Sequence, residues 1–466
     1  MAPSNYIRTR ELASQAVDHD QYFATLVDGR PYLPNFTVDA SSSTNSTSVC
    51  HAALAIVVHS IYTSIAGSSL AASTAELKSM SVSIDWDSLI LNSSTTLACI
   101  KVTGGITNAL FRVSGFETLK PLIIEAVLKY LDNGGGGITS SVNNNVDAHL
   151  NFNSVLVRIF GAEGMIDRDV ETSTYAALCD ANIAYRYLGR FKNGRIEGWL
   201  DGFEALTCTD LATGEHSVEI AKEMARLHCQ FQLPQGELRD HHYGTDADAI
   251  KVGLWDQLSS WMEQAKGYKE FKTERDTERV KLLELHKIEI EVQRFIFSFT
   301  SDSSDVDDAK RNKKIVFCHN DLLPANIMVN QQTNQIQFID FEYGGVGYAA
   351  YDVANHLNEY AGGTSAEDNG VPDYSRFPTP DKQKRFCEAY VREMRRFEGK
   401  NSDSDDEVLS QEVNGFLDDV QNFLLVNHLY WGLWAVNQAA EEGCDGFDYI
   451  SFATNRFKEF YAKKGT

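Results

Sequence analysis

The chain lacks an excess of positive charge: 42 Lys+Arg stand against 65 Asp+Glu, a formal net charge of -23 over 466 residues. A surface of that sign does not track a phosphate backbone, which sets nucleic-acid binding aside. Closely spaced cysteines are missing too. Cys50, Cys99, Cys179, Cys208, Cys229, Cys318, Cys387 and Cys444 are scattered, with no CxxC pair. That excludes the usual zinc and redox-dithiol spacings and fits free thiols in a reducing compartment. No apolar core follows a basic start in MAPSNYIRTRELASQAVDHD, so no secretory signal is expected. The one long apolar stretch, Val49 to Ala66, is interrupted by His51, His59, Ser60, Thr63 and Ser64. It is short and polar for a membrane span, and we expect a packed helix of a soluble, cytoplasmic protein. No repeat occurs at solenoid or propeller periods. What is present is an ordinary globular composition, 43% hydrophobic, with room for two or three lobes.

Read in order, residues 1–48 end in a Ser/Thr/Asn tract from Ser41 to Ser48 that has the composition of a linker. After Ser83 the pattern changes to strands at Leu97–Val102, Ala109–Val113 and Val155–Phe160. Between the first two lies Gly-Gly-Ile-Thr-Asn at 104–108, either an ordinary hairpin turn or a turn whose backbone N–H groups approach phosphate oxygens. The stretch 115–154 contains four consecutive glycines and three consecutive asparagines and reads as an inserted surface loop. Arg158 sits inside an apolar strand; it needs a partner if buried, for which Glu171 is the candidate, or else it points to solvent. Gly194–Leu200 has the look of a strand connecting two lobes. From Ser217 the periodicity becomes helical, with stripes at Val218, Ala221, Met224, Ala225 and His228, at Leu254, Leu258, Trp261 and Met262, and at Leu285, Ile288, Val292 and Phe295. These are core faces, and His228 is expected to be a structural histidine. Ser301–Lys314 and Lys400–Glu407 are charge runs of solvated loops.

One stretch, Val316 to Gly363, carries chemistry. His319-Asn320-Asp321 is followed five residues after the aspartate by Asn326, and an apolar run through Ile336, Phe338 and Ile339 delivers Asp340. Phosphoryl transfer asks little covalent work of a protein; it needs a carboxylate to take the acceptor hydroxyl's proton, and oxygen ligands to hold magnesium against nucleotide phosphates. Asp321, in a loop after the strand Ile315–Cys318, fits the first role. Asn326 and Asp340 fit the second, and Glu342 is close enough in sequence to help with a second ion. Each residue alone has an ordinary reading as a turn or capping group; the ordered set does not. His319 is expected to brace the loop.

The segments HNDLLPAN, IDFEYGG and YDVANHLNEYAGG closely resemble the choline/ethanolamine kinase family, and GGITNALFRV, VLVRIFG, IDRDVE, GRIEGWL, HLYWGLWAVNQA and FDYISFATNRF follow in family order. The resemblance covers most of residues 97–462, with insertions at 115–154, 299–312 and 400–407. It implies an α+β, bilobal, protein-kinase-like fold: a small N-lobe with an antiparallel sheet, a larger, mainly helical C-lobe, and nucleotide between them. Residues 1–83 would be an N-terminal extension with linker and helix, 84–202 the N-lobe, and 203–466 the C-lobe with the catalytic loop and an amino-alcohol pocket. ATP and Mg2+ are the implied cofactors. Asp321 would be the catalytic base, Asn326, Asp340 and Glu342 the metal ligands, and Thr107 and Asn108 would lie over the phosphates. Arg158 would take the place of the protein-kinase lysine and pair with Glu171. The acceptor pocket would be built from Tyr343, Glu359, Trp431 and Trp434, because ammonium is drawn to aromatic faces and to carboxylate. Asp352 and Asn355 would brace the loop.

Within the family, Asn358–Gly362, Asp373–Pro378 and Leu283–Lys287 look more like ethanolamine kinases, and Gly362–Gly370 lacks the aromatic residues that choline-preferring relatives often carry. A primary ammonium can donate hydrogen bonds, whereas trimethylammonium depends on an aromatic enclosure. Phe452 stands where many relatives have tyrosine. The expectation is ethanolamine phosphorylation towards phosphatidylethanolamine, with choline or dual specificity as the alternative and homodimerisation left open. The intact Asp321, Asn326 and Asp340 argue against a non-catalytic scaffold.

Overall fold

In the computed structural model the chain divides into two compact units, residues 1–201 and 202–466. The structure describes residues 19–39, 46–66, 74–102, 108–133, 152–161, 167–244, 252–300, 314–365, 368–400 and 406–465. Thr107 with the turn at 103–107, most of the Ser/Thr/Asn tract and the charge runs at 301–313 and 401–405 lie outside them.

The N-terminal unit is built on seven strands: β1 (Thr25–Val27), β2 (Arg30–Leu33), β3 (Ala98–Val102), β4 (Asn108–Ser114), β5 (Ser154–Phe160), β6 (Tyr187–Phe191) and β7 (Gly194–Gly198). They form one sheet in the order β1-β2-β6-β7-β5-β4-β3. The three strands expected from β-branched alternation are all present. The sheet departs from the expected antiparallel one at a single place, where β2 pairs parallel to β6 through Tyr32↔Arg190 and Leu33↔Phe191. That pairing draws in residues expected to be an extension. Leu33, Phe36 and Val38 are buried with Ala52–Val58 in the same core as Val113, Val155, Val157 and Ile196. Ala52–Val58 lie on the helix Ser46–Ala66, which packs into this core. Among the described residues its segment Ser46–Ser64 is the one stretch long and apolar enough to cross a membrane, and 67% of it is buried inside the unit. The expected loop at 115–154 is corrected in its first half: Phe116–Asn133 is a helix, because Phe116, Leu119, Ile123 and Val127 recur on one face and are buried.

The C-terminal unit is mainly helical and has two small sheets. Strands β8 (Phe203–Ala205), β10 (Ile327–Asn330) and β11 (Ile336–Phe338) form one; β9 (Ile315–Cys318) and β12 (Gly345–Tyr348) form the other. The expected helical stripes are core over most of their length: Ala221, Met224, Ala225, His228, Leu254, Leu258, Trp261, Met262, Ile288, Val292 and Phe295 are buried, while Val218 and Leu285, at the helix starts, are half-buried. Two C-terminal helices, Asp406–Glu441 and Tyr449–Lys464, pack closely on each other. Gly432 makes the approach feasible, since a Cβ there would come within 2.3 Å of the Phe457 ring.

Candidate active site

The loop that follows β9 is held by its own backbone. Asp352, on the helix Ala349–Asn358, accepts from the N–H of His319 at 2.8 Å and from that of Asn320 at 2.7 Å. A buried carboxylate is costly unless its lone pairs are filled, and His228 fills another at 3.0 Å while its second ring nitrogen meets the Tyr390 hydroxyl at 2.7 Å. Burial works to raise the Asp352 carboxyl, but the His228 hydrogen bond and charge and the His319 contacts outweigh it and hold the group below its ordinary value. His228 is thus a structural histidine, as expected. His319 is one too. Its Nε2 donates to the Ile339 carbonyl at 2.9 Å and its Nδ1 accepts from the Asp321 N–H at 3.3 Å. That fixes the neutral tautomer, in keeping with burial lowering its pKa.

Asn320 and Asp340 both have left-handed backbone, with φ of 64° and 62°. Such conformations are uncommon for residues other than glycine and persist where the surroundings over-determine them. Here Asn320 Nδ2 donates to the Tyr343 carbonyl at 3.0 Å, and the Ile339 N–H donates to the Asn326 carbonyl at 3.0 Å. The β10–β11 ladder pairs Ile327 with Phe338, so the residues just before β10 and just after β11 are brought to the same end. Asn326 is thereby set beside Asp321, donating from Nδ2 to its carbonyl at 2.9 Å and to Oδ2 at 3.3 Å.

Asp321 is the electrostatic focus. Burial first, then the neighbouring carboxylates Glu359, Asp340 and Glu342, push its pKa well above the carboxylate range. Glu359 is buried and Asp321, Asp340 and Glu342 are half-buried; carboxylates gathered in this way repel one another, and a bound cation offsets that repulsion. Beside them stands an aromatic wall: the Tyr343 and Trp431 rings are 5.5 Å apart at 74°, and Trp431 and Trp434 5.4 Å apart at 78°. Burial, followed by Glu342 and Asp321, raises the Tyr343 phenol so that it stays neutral. A cavity of about 410 Å³ opens at Asn320, Tyr343, Gly345, Tyr351 and Tyr430. Glu359, which is 5% exposed, faces Arg456 at 3.5 Å; burial raises it and Arg456 opposes the rise.

In the N-terminal unit the expected pairing of Arg158 with Glu171 is corrected. Arg158 Nε donates to Glu197 at 2.9 Å, while Glu171 is held by Arg195 at 2.6 Å. Register explains the exchange. Arg158 and Arg195 are directly opposed on β5 and β7, and Glu197, two residues along the face of Arg195, bonds both guanidinium groups, Arg195 at 2.7 Å. Arg158 is buried, so the solvent-pointing alternative does not hold. Asn108 opens β4 and accepts from the Gly161 N–H at 3.5 Å.

The sequence reading did not single out Arg195, Glu197, Asn427 or Arg456. For the first two the signal was Arg-Ile-Glu at 195–197, charges two apart in an otherwise apolar strand. For Asn427 it was its spacing of four from Trp431, one helical turn.

Comparisons with known proteins bear on the family and the fold. The model of the choline/ethanolamine kinase family matches residues 99–461. An Arabidopsis thaliana protein named "Probable choline kinase 2" is 32% identical over 66% of this chain and 77% of its own. One named "Probable ethanolamine kinase", also from Arabidopsis thaliana, is 27% identical over 78% of this chain and 79% of its own. Among solved structures, the Plasmodium vivax ethanolamine kinase superposes with a TM-score of 0.58 at 24% identity, covering 84% of this chain and 90% of its own. The Cryptosporidium parvum choline kinase gives 0.57 at 25%, covering 79% and 89%. The fold is accordingly that of the protein-kinase-like kinases, with a mixed sheet in the N-terminal unit and a mainly helical C-terminal unit. With the family model spanning most of the sequence, the chain belongs to the choline/ethanolamine kinase family.

Proposed function

We propose that the protein transfers the γ-phosphoryl group of ATP to the hydroxyl of ethanolamine. The observation that carries this reading is the convergence of Glu359, Asp340 and Glu342 on Asp321 next to the Tyr343–Trp431–Trp434 wall. Concentrated negative charge beside aromatic faces complements an ammonium and a divalent cation together.

In this reading Asp321 accepts the hydroxyl proton as the acceptor oxygen attacks, and Asn326, bonded to its carboxylate, keeps it aimed. Asn326, Asp340 and Glu342 are oxygen donors of the hard type that Mg2+ takes, and their crowding of carboxylates fits a dication. When bound, that ion would neutralise charge on the phosphates. Glu359 and the two tryptophans hold the ammonium, which orients the hydroxyl towards Asp321. Arg158, locked by Glu197, and Asn108 are the nucleotide-side residues, with Thr107 retained from the sequence; Glu171 acts on that side through Arg195 and Arg168.

Carboxylates favour a primary ammonium, which can donate to them, and this supports ethanolamine. The three-ring wall supports choline as the second reading, because a quaternary ammonium relies on ring faces. Parallel measurement of kcat/KM for the two amines separates them. The expected outcome is a larger value for ethanolamine; a larger value for choline reverses the substrate assignment while leaving the chemistry in place.

A further inference from the structure

Behind the acceptor wall, between Trp431 and Glu359, lies a chain of buried polar groups whose inner members no step of the proposed transfer uses. Trp431 Nε1 donates to Asn355 Oδ1 at 2.7 Å, and Asn427 Nδ2 donates to the same oxygen at 2.7 Å. Asn427 Oδ1 accepts from Asn358 Nδ2 at 2.8 Å and from Arg456 Nη2, and the Asn427 carbonyl accepts from Arg456 at 3.2 Å. Arg456 Nη1 then reaches Glu359 Oε1 at 3.5 Å. All six side chains are buried; Asn355, Asn358 and Asn427 are fully so.

The direction of this chain is not a free choice. An indole N–H and a guanidinium only donate, so the amides between them have one consistent orientation: Asn355 must offer its oxygen to Trp431, and Asn427 its oxygen to Arg456. Rotating either amide by half a turn would set donor against donor at one end. The two ends of the chain are the two walls of the acceptor site, the ring face at Trp431 and the carboxylate at Glu359. Arg456 also spends its shorter contacts on Asn427 and only a long one on Glu359. The carboxylate therefore has a cation beside it that opposes the rise burial causes, yet is not closed into a bidentate pair that would compete with an ammonium.

We propose that Asn427 is a specificity-determining positioning residue, which fixes the separation between the Trp431 ring and the Glu359 carboxylate and keeps Arg456 from neutralising that carboxylate. The proposal rests on the assignment of Glu359 and Trp431 to the acceptor amine. With the tie cut, Arg456 is free to turn fully onto Glu359, and Asn355, whose oxygen sets the Trp431 ring plane, loses the amide donor that orients it. The consequence falls on amine recognition, and on discrimination by nitrogen size, rather than on ATP.

The test is steady-state kinetics of the full chain carrying Asn427→Leu, with ethanolamine, N-methylethanolamine, N,N-dimethylethanolamine and choline. Asn427→Ser, polar but too short to span from Asn355 to Arg456, serves as a second variant should the first fail to fold. Glu359→Gln is run alongside as a check on the underlying site. The expected result is an amine KM raised about tenfold or more, an ATP KM within about twofold of wild type, and an ethanolamine-to-choline kcat/KM ratio shifted at least about threefold. An unchanged amine KM and ratio, or an equal fall in kcat for every amine, would overturn the proposal. If Glu359→Gln also leaves amine KM unchanged, the acceptor-site assignment itself fails; if only the Asn427 variants do, that assignment stands and Asn427 is purely structural.

Discussion

A base that must also be buried needs both ionisation and aim, and the residues around Asp321 divide those tasks. Burial first, then Glu359, Asp340 and Glu342, oppose its ionisation. Asn326 and the backbone anchored by Asp352 provide aim. Replacing Asp352 by Asn sets an amide N–H against one of the donors it now accepts, so the loop must shift. We predict a fall in kcat of about 10²-fold, the cost typical of an ångström-scale misplacement, with an unfolding midpoint lowered by a few degrees; single-turnover kinetics alongside thermal unfolding separates the two. At this scale Asp321, Asn326 and Asp340 were legible because they lie on one continuous stretch, joined by a short strand pair. Partners far apart in sequence were not: Arg158 and Glu197 are separated by 39 residues, Asn427 and Arg456 by 29.

Among elements, the sheet of the N-terminal unit depends on its buried charge cluster. Burial works to raise the Glu197 carboxyl, but Arg158 and Arg195 outweigh it and bring it to about 2. A carboxylate lowered in the folded state stabilises above its unfolded pKa of about 4.3 and loses that contribution as pH falls towards its folded value. Glu197→Gln is therefore expected to cost about 3–5 kcal/mol at pH 7, the usual range for a broken buried pair. The difference from wild type should narrow between about pH 4 and pH 2. Urea unfolding at several pH values reads this directly, and a gap independent of pH would contradict it. Here the sequence was misread at Phe116–Asn133 because the glycine and asparagine runs that follow dominated the composition of 115–154. The i, i+3, i+7, i+11 apolar face was present throughout. The pairing of Arg158 with Glu171 failed for a different reason: sheet register, which sequence alone does not fix, decides which charge lies opposite which.

For the whole molecule, the boundary expected at residue 84 would cut through a core. Leu33, Phe36 and Ala52–Val58 belong to the same buried cluster as the central strands. A chain beginning at Ile84 is predicted to be aggregated or unfolded in its N-terminal unit, measurable as loss of amide-exchange protection in β5 and β7; retained protection there would restore the extension reading. The division into a sheet-bearing unit and a helical one was legible from periodicity, and the family from the order of its motifs. The account's central claim is that this chain moves a phosphoryl group to an amino alcohol with Asp321 as base. The most direct measurement is formation of the phosphate ester from ATP, Mg2+ and ethanolamine, followed by phosphorus NMR for the wild-type chain and for Asp321→Ala. The account predicts amine-dependent ester formation by wild type and a rate about 10²–10⁴-fold lower in the variant. Ester formation by Asp321→Ala at near wild-type rate, or none from wild type with either amine, would contradict it.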